Sequence, residues 1–183
     1  MRSWYPARNL VSRRQRMNRS YDPLHMVNTY GAFGSVSRTR EEVILEGTSQ
    51  PDLSSDTVWL EYQFRGKPGD VRRMPRQYSP YHLRLDWLMW FLPISPAHAQ
   101  TWLLPLCRGL LTNEPSIIRL LRINPFPDAP PAHVRAVLYR YRFSTARELR
   151  SEHVWWHREC LGEYLAPLSL DEASYLSRRF RSG

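Results

Sequence analysis

The sequence predicts an α+β fold in which an antiparallel β-sheet, or sandwich-like strands, packs with several helices. Three observations point to it. Strand candidates come first, three helical stretches follow, and one strongly alternating strand returns late, an order that suits an antiparallel sheet better than a doubly wound one. The 183 residues, 42% hydrophobic and 13% aromatic, suffice for one ordinary domain with a sizeable core. Seven Trp and ten Tyr supply much of its apolar area. Fifteen Pro against eight Gly predict stiff, extended connections.

Residues 1–22 are basic, lack a clear period and read as an arm or linker remnant, with residues 23–183 as a single domain. Met26 to Phe33 is an extended candidate broken by Gly31 and Gly34, and Glu42 to Gly47 is a second. Val58 to Arg65 alternates most clearly: Val58, Leu60, Tyr62 and Phe64 share one face. A polar, Pro-bearing excursion then runs to Pro80. Ser79-Pro80 opens a helix over Tyr81 to Leu92, with Leu85, Leu88, Met89 and Leu92 on one stripe. A second helix spans Pro96 to Leu111, divided or kinked at Pro105, and a third starts at Asn113-Glu114-Pro115. After a rigid Pro125–Pro131 linker, Val137, Tyr139, Tyr141 and Phe143 make the apolar face of a long strand. Ala146 to Leu165 reads as helix, and Ser169-x-x-Glu172 is a capping box opening the last one.

The formal net charge is +9, but residues 1–20 hold six Arg and no acid, and three more Arg follow Leu176. Residues 21–177 are therefore neutral, which argues against a phosphate-binding groove on the folded body. Nucleic-acid binding would fall to the Arg-rich arm alone. Lys67 is the only lysine among 26 basic residues. A GC-rich codon bias is the leading explanation, and the capacity of Arg to pair with buried carboxylates and stack on rings applies beside it. Cys107 and Cys160 form no disulfide or zinc framework by spacing. The first twenty residues lack the continuous apolar stretch of a signal peptide. The longest apolar run, Trp87 to Ile94, is far short of the roughly 20 residues that cross a bilayer.

Several blocks carry a resemblance. Met17-Asn18-Arg19-Ser20-Tyr21-Asp22-Pro23-Leu24-His25 leads to Val27-Asn28-Thr29-Tyr30-Gly31-Ala32-Phe33-Gly34 and Arg40-Glu41-Glu42-Val43-Ile44-Leu45-Glu46-Gly47-Thr48. Trp59-Leu60-Glu61-Tyr62, Lys67-Pro68-Gly69-Asp70 and Pro80-Tyr81-His82-Leu83-Arg84-Leu85-Asp86-Trp87-Leu88-Met89-Trp90 follow. Asn124-Pro125-Phe126-Pro127 and Val134-Arg135-Ala136-Val137-Leu138-Tyr139-Arg140-Tyr141-Arg142-Phe143 complete the series. In this order they resemble the soluble C-terminal part of the lipase maturation factor family. The resemblance implies a parent protein with several membrane spans, resident in the endoplasmic reticulum membrane in animals, or in the cell membrane if the source is bacterial. It also implies help for secreted dimeric lipases to fold and assemble. It brings no catalytic residues and no cofactor.

The densest candidate site is Trp87-Leu88-Met89-Trp90 with Tyr81, Arg84 and Asp86. Trp87, Trp90, Tyr81 and Arg84 are the candidate client-binding residues, since exposed Trp pairs anchor apolar partner surface. The competing reading has the rings filling the core, with Arg84 and Asp86 paired at its edge. A rival enzymatic reading uses His82 and Asp86, one turn apart, as an acid–base pair; no nucleophile accompanies them. Alternatively His153, His157 and Cys160 share a predicted helix face and await His133 or His98 as a fourth zinc ligand. Arg65-Gly66-Lys67-Pro68-Gly69-Asp70 lacks the spacing of a phosphate loop and reads as a turn. Together these features point to a non-enzymatic interaction domain with a lipase-like protein client, no cofactor, no expected metal and no nucleic acid.

Overall fold

The computed structural model describes residues 4–12, 16, 19–24, 26–29, 40–76, 78, 81, 83–94 and 101–179. They form two antiparallel sheets and six helices, an α+β fold. The chain divides into two compact units, Met1–Arg38 and Thr39–Gly183.

In the first unit, helix α1 (Trp4–Leu10) precedes a two-stranded ribbon of β1 (Arg19–Ser20) and β2 (Asn28–Thr29). The Asp22 carboxylate closes the ribbon's turn by accepting from the Met26 and Val27 amides at 3.0 and 2.6 Å. The Gly31 and Gly34 breaks lie outside the described residues.

The second unit is built on a sheet of order β4-β3-β5-β6, all antiparallel. Its strands are β3 (Arg40–Thr48), β4 (Leu60–Glu61), β5 (His133–Phe143) and β6 (Trp156–Leu168). Strand β3 is central, and most of it is buried because both of its faces are covered. Val43 and Leu45 of β3, with Val134 and Ala136 of β5, point into the main core. Helix α2 (Arg84–Phe91), helix α3 (Leu103–Leu111) and helix α6 (Leu170–Arg179) deliver Met89, Cys107, Leu110 and Ala173 onto them. Pro105 lies within the first turn of α3, where no intrahelical amide is required, so the helix begins near it and is not kinked there. The short helix α4 (Pro115–Ile118) has Pro at its first position, as the sequence predicts.

Gly47 has a steric reason. A Cβ there would meet Phe126 Cε2 at 2.6 Å and Pro131 Cβ at 3.3 Å. Phe126 is held in place from both ends of its backbone. Its amide donates to Asn124 Oδ1 at 3.0 Å, and its carbonyl accepts from Asn113 Nδ2 at 2.7 Å and Asn124 Nδ2 at 3.1 Å.

Two expectations are corrected. The predicted Val58–Arg65 strand enters the ladder only at Leu60–Glu61. Tyr62 adds one bond to Leu45, and Gln63 turns away to bridge Ile123. The predicted Ala146–Leu165 helix is helix only over α5 (Ala146–Glu152). Thr145 and Glu148 cap its start reciprocally, and His153 ends it in the left-handed region at φ 56°. The chain then becomes β6, because pairing with the long β5 satisfies a whole strand of backbone groups. Aromatic Trp155 and Trp156 favour the strand, and Gly162 at φ 141° accommodates a bulge beside Leu161.

A groove between the aromatic helix and the second sheet face

The second face of the sheet carries Glu42, Ile44, Tyr141 and Trp156, and residues 65–76 cross over it. Four anchors fix that crossing. The Val71 carbonyl accepts from the Trp155 and Trp156 amides at 2.8 and 3.1 Å. Tyr141 Oη donates to the Gly69 carbonyl at 3.1 Å. Lys67 Nζ donates to the Val43 carbonyl at 2.9 Å. The Asp86 carboxylate of α2 accepts from the Gly66 and Lys67 amides at 2.5 and 2.9 Å. Asp86 thus faces the crossing segment and does not form the expected edge pair with Arg84.

Lys67 is buried, with its side chain only 2% exposed, and lies 3.3 Å from Glu42, whose side chain is fully buried. Burial pushes the Lys67 ammonium below its ordinary range, and the Glu42 carboxylate partly offsets this. Glu42 also accepts from Arg40 Nε at 2.6 Å. The Arg65–Asp70 motif is therefore a turn built inward, with its lysine serving the sheet and not a phosphate.

Two hollows flank the crossing segment, one against α2 and one against this face, and they share Arg40, Gly66, Lys67 and Arg76 as lining, the two halves of one groove. The larger, about 360 Å³, is walled by Trp87, Trp90, Tyr78 and Tyr81; the smaller, about 140 Å³, ends on Phe143 and Trp156. Arg40 and Arg76 line both. Trp87, Trp90 and Phe91 form a ring cluster with centroids 5.0 to 5.5 Å apart. Phe143 stacks on Trp156 at 4.0 Å. Arg73 stiffens the rim by donating to the Phe64 and Arg65 carbonyls and to Tyr78 Oη.

Of the candidate client residues, Trp87 is 42% and Tyr81 70% exposed, Trp90 is half-buried, and all three meet at the larger half. Arg84 is exposed at the start of α2 and does not line the groove. The core stripe of the same helix holds Met89 with Leu92 beyond it, so the Trp rings form a second face. Phe143, Trp156 and Arg40 complete the groove and escaped the sequence reading, because Trp156 fell inside the predicted helix. Adjacent Trp residues, with Gly162 and Pro167 beyond them, were the available sign of a strand.

Among the described residues the enzymatic alternatives do not come together as a site. His82 lies outside the described residues, and Asp86 is engaged by two amides. His157 pairs across the strand with Arg142, while Cys160 pairs with Tyr139 on the opposite sheet face. His157 Nε2 is 3.7 Å from Glu148, and His153 is an exposed helix terminus. His133 meets the Gln50 carbonyl at 3.3 Å, and His98 lies outside the described residues. Among the described residues no helix is long and apolar enough to cross a membrane.

Comparison with known proteins supplies the lineage. The domain described as "Lipase maturation factor C-terminal domain" matches residues 26–166. This chain belongs to the lipase maturation factor family. Lipase maturation factor 1 of Mus musculus is 47% identical over 167 residues, covering 90% of this chain and 29% of that protein. The Bos taurus protein of that name is 49% identical over 164 residues, 88% of this chain and 29% of the relative. Lipase maturation factor 2 of Mus musculus is 34% identical over 159 residues, 84% of this chain and 22% of the relative. The chain thus spans less than a third of the length of these curated relatives. No solved structure matches it.

Proposed function

We propose that this chain is the client-contacting, non-enzymatic domain of a membrane-resident maturation factor that assists lipase folding and assembly. Its family membership and the names of its relatives support the lipase client. By the same family resemblance, the parent protein resides in the endoplasmic reticulum membrane in animals. The groove supports the mode of action. Trp87, Trp90 and Tyr81 stand partly open to solvent on elements braced by Asp86 and Arg73, so the rings are held ready for contact. Aromatic side chains in such a position bury large partner area with few rotatable bonds to order. The domain would cover apolar client surface while subunits assemble and release it once that surface is buried in the product.

The test is aggregation of a denatured dimeric lipase diluted into buffer, followed by light scattering. The purified chain in molar excess should slow aggregation without ATP. Trp87→Ala should remove most of that effect, compared at a temperature where both proteins remain folded, since the ring also packs on Trp90 and Phe91. Absence of any effect by the unaltered chain would overturn the reading.

A further inference from the structure

The groove's charges are layered by depth. Its acids, Glu42 and Asp86, are buried and engaged by Arg40, Lys67 and the Gly66 and Lys67 amides. The cations nearest solvent are Arg40, whose side chain is 41% exposed, and Arg76, which is exposed and has no ion pair or hydrogen bond among the described residues. Both stand where the two halves join, with tryptophan and tyrosine rings on one side and the Phe143–Trp156 stack on the other. A purely apolar occupant would desolvate Arg76 without compensation. Among the described residues Arg73, the other arginine of the smaller half, is taken up by the Phe64 and Arg65 carbonyls and Tyr78 Oη, so a polyanion would find its open cation at this junction and rings on either side of it.

We propose that the groove selects extended client segments in which a carboxylate lies between two large apolar side chains, each two residues away. The inference rests on the client-binding reading above and names the chemistry of the client. In extended chain, alternate residues project to the same side. One aromatic residue then enters the larger half, an Asp or Glu meets Arg76 and Arg40 at the junction, and an aliphatic residue fills the smaller half.

The probe is a fluorescein-labelled peptide, Gly-Ser-Phe-Ser-Asp-Ser-Leu-Ser-Gly, titrated with the 183-residue chain by fluorescence anisotropy. Versions with Asn or Lys in place of Asp accompany it. Asn should weaken binding by about fivefold, the scale of a partly exposed ion pair, and Lys should weaken it further. Arg76→Ala should weaken the Asp peptide by about the same factor and abolish most of its advantage over the Asn peptide, while Arg76→Lys should retain most of the preference. Equal binding of all three peptides, lost in Trp87→Ala, would overturn the acidic preference and leave the groove as a client site. Failure of every peptide to bind would overturn the client-site reading as well. Self-association of the chain that the Asp peptide displaces would overturn the proposal in favour of a second copy as occupant.

Discussion

Lys67 Nζ and the Val43 carbonyl oxygen lie 2.9 Å apart, at the point where β4 has left the edge of β3. Tyr62 supplies the last backbone donor on that edge, to Leu45, and two residues earlier on β3 the ammonium group takes over. Lys67 therefore replaces a missing strand while neutralising Glu42.

Removing Lys67 leaves the buried Glu42 with Arg40 as its remaining cation and the Val43 carbonyl without its donor. Lys67→Met should destabilise the domain by about 3–5 kcal/mol, read from urea unfolding. Lys67→Met combined with Glu42→Leu should recover much of that loss, since well-packed apolar replacements of a buried pair are often neutral. A double variant no more stable than the single one would show that the pair is not coupled.

Asp86 couples the aromatic helix to the crossing segment through two charge-assisted bonds. Asp86→Ala should cost about 2–3 kcal/mol. It should also weaken client protection beyond its effect on stability, because the groove walls lose their common brace. Comparing protection at a temperature where both proteins remain folded separates the two effects.

Gly47→Ala should drive a methyl group into Phe126 and cost about 1–3 kcal/mol. Phe126→Leu in the same chain should return part of that cost, giving a strongly non-additive cycle. Additive losses would place the strain elsewhere.

Alkali should unfold the domain in stages. Burial pushes the Cys107 thiol from 9.0 up to about 12 and the Tyr141 phenol from 10.0 up to about 12. A folded pKa above the unfolded one means that the native state holds the proton longer. The stabilisation is complete below the unfolded pKa and is lost as pH rises toward the folded one. The stabilisation held by these two groups should therefore fall from about pH 9 upward as unfolded Cys107 ionises, and more steeply above about pH 10 as Tyr141 joins it, while the lowered Lys67 ammonium works in the opposite sense below the ordinary lysine pKa. Cys107→Ala should lower stability overall yet flatten the slope between pH 9 and 10, measured by urea midpoints across that range.

Legibility in the sequence followed locality. The run Val43-Ile44-Leu45 and the Ser169-x-x-Glu172 box carry their own boundaries, and both appear where the sequence places them. The segment Val58–Arg65 alternates more clearly than any other but pairs only over Leu60–Glu61, with a lysine side chain taking over on that edge of β3, an exchange invisible to periodicity. The stretch after Glu152 was misread because α5 is locally well capped, while β6 owes its form to β5, a partner it meets only through the fold. Trp87, Trp90 and Tyr81 were visible as a cluster. The opposite wall was not, since Arg40, Phe143 and Trp156 converge from three separate strands.

Strand β6 forms one border of the sheet, and its middle, from Arg158 to Glu163, is exposed. Bulged register and alternating charge at Arg158, Glu159 and Glu163 make that border a poor template for another chain. An open strand edge is otherwise a place where another chain can add a strand. If the groove takes client segments as proposed, a border of this kind would keep that contact to side chains.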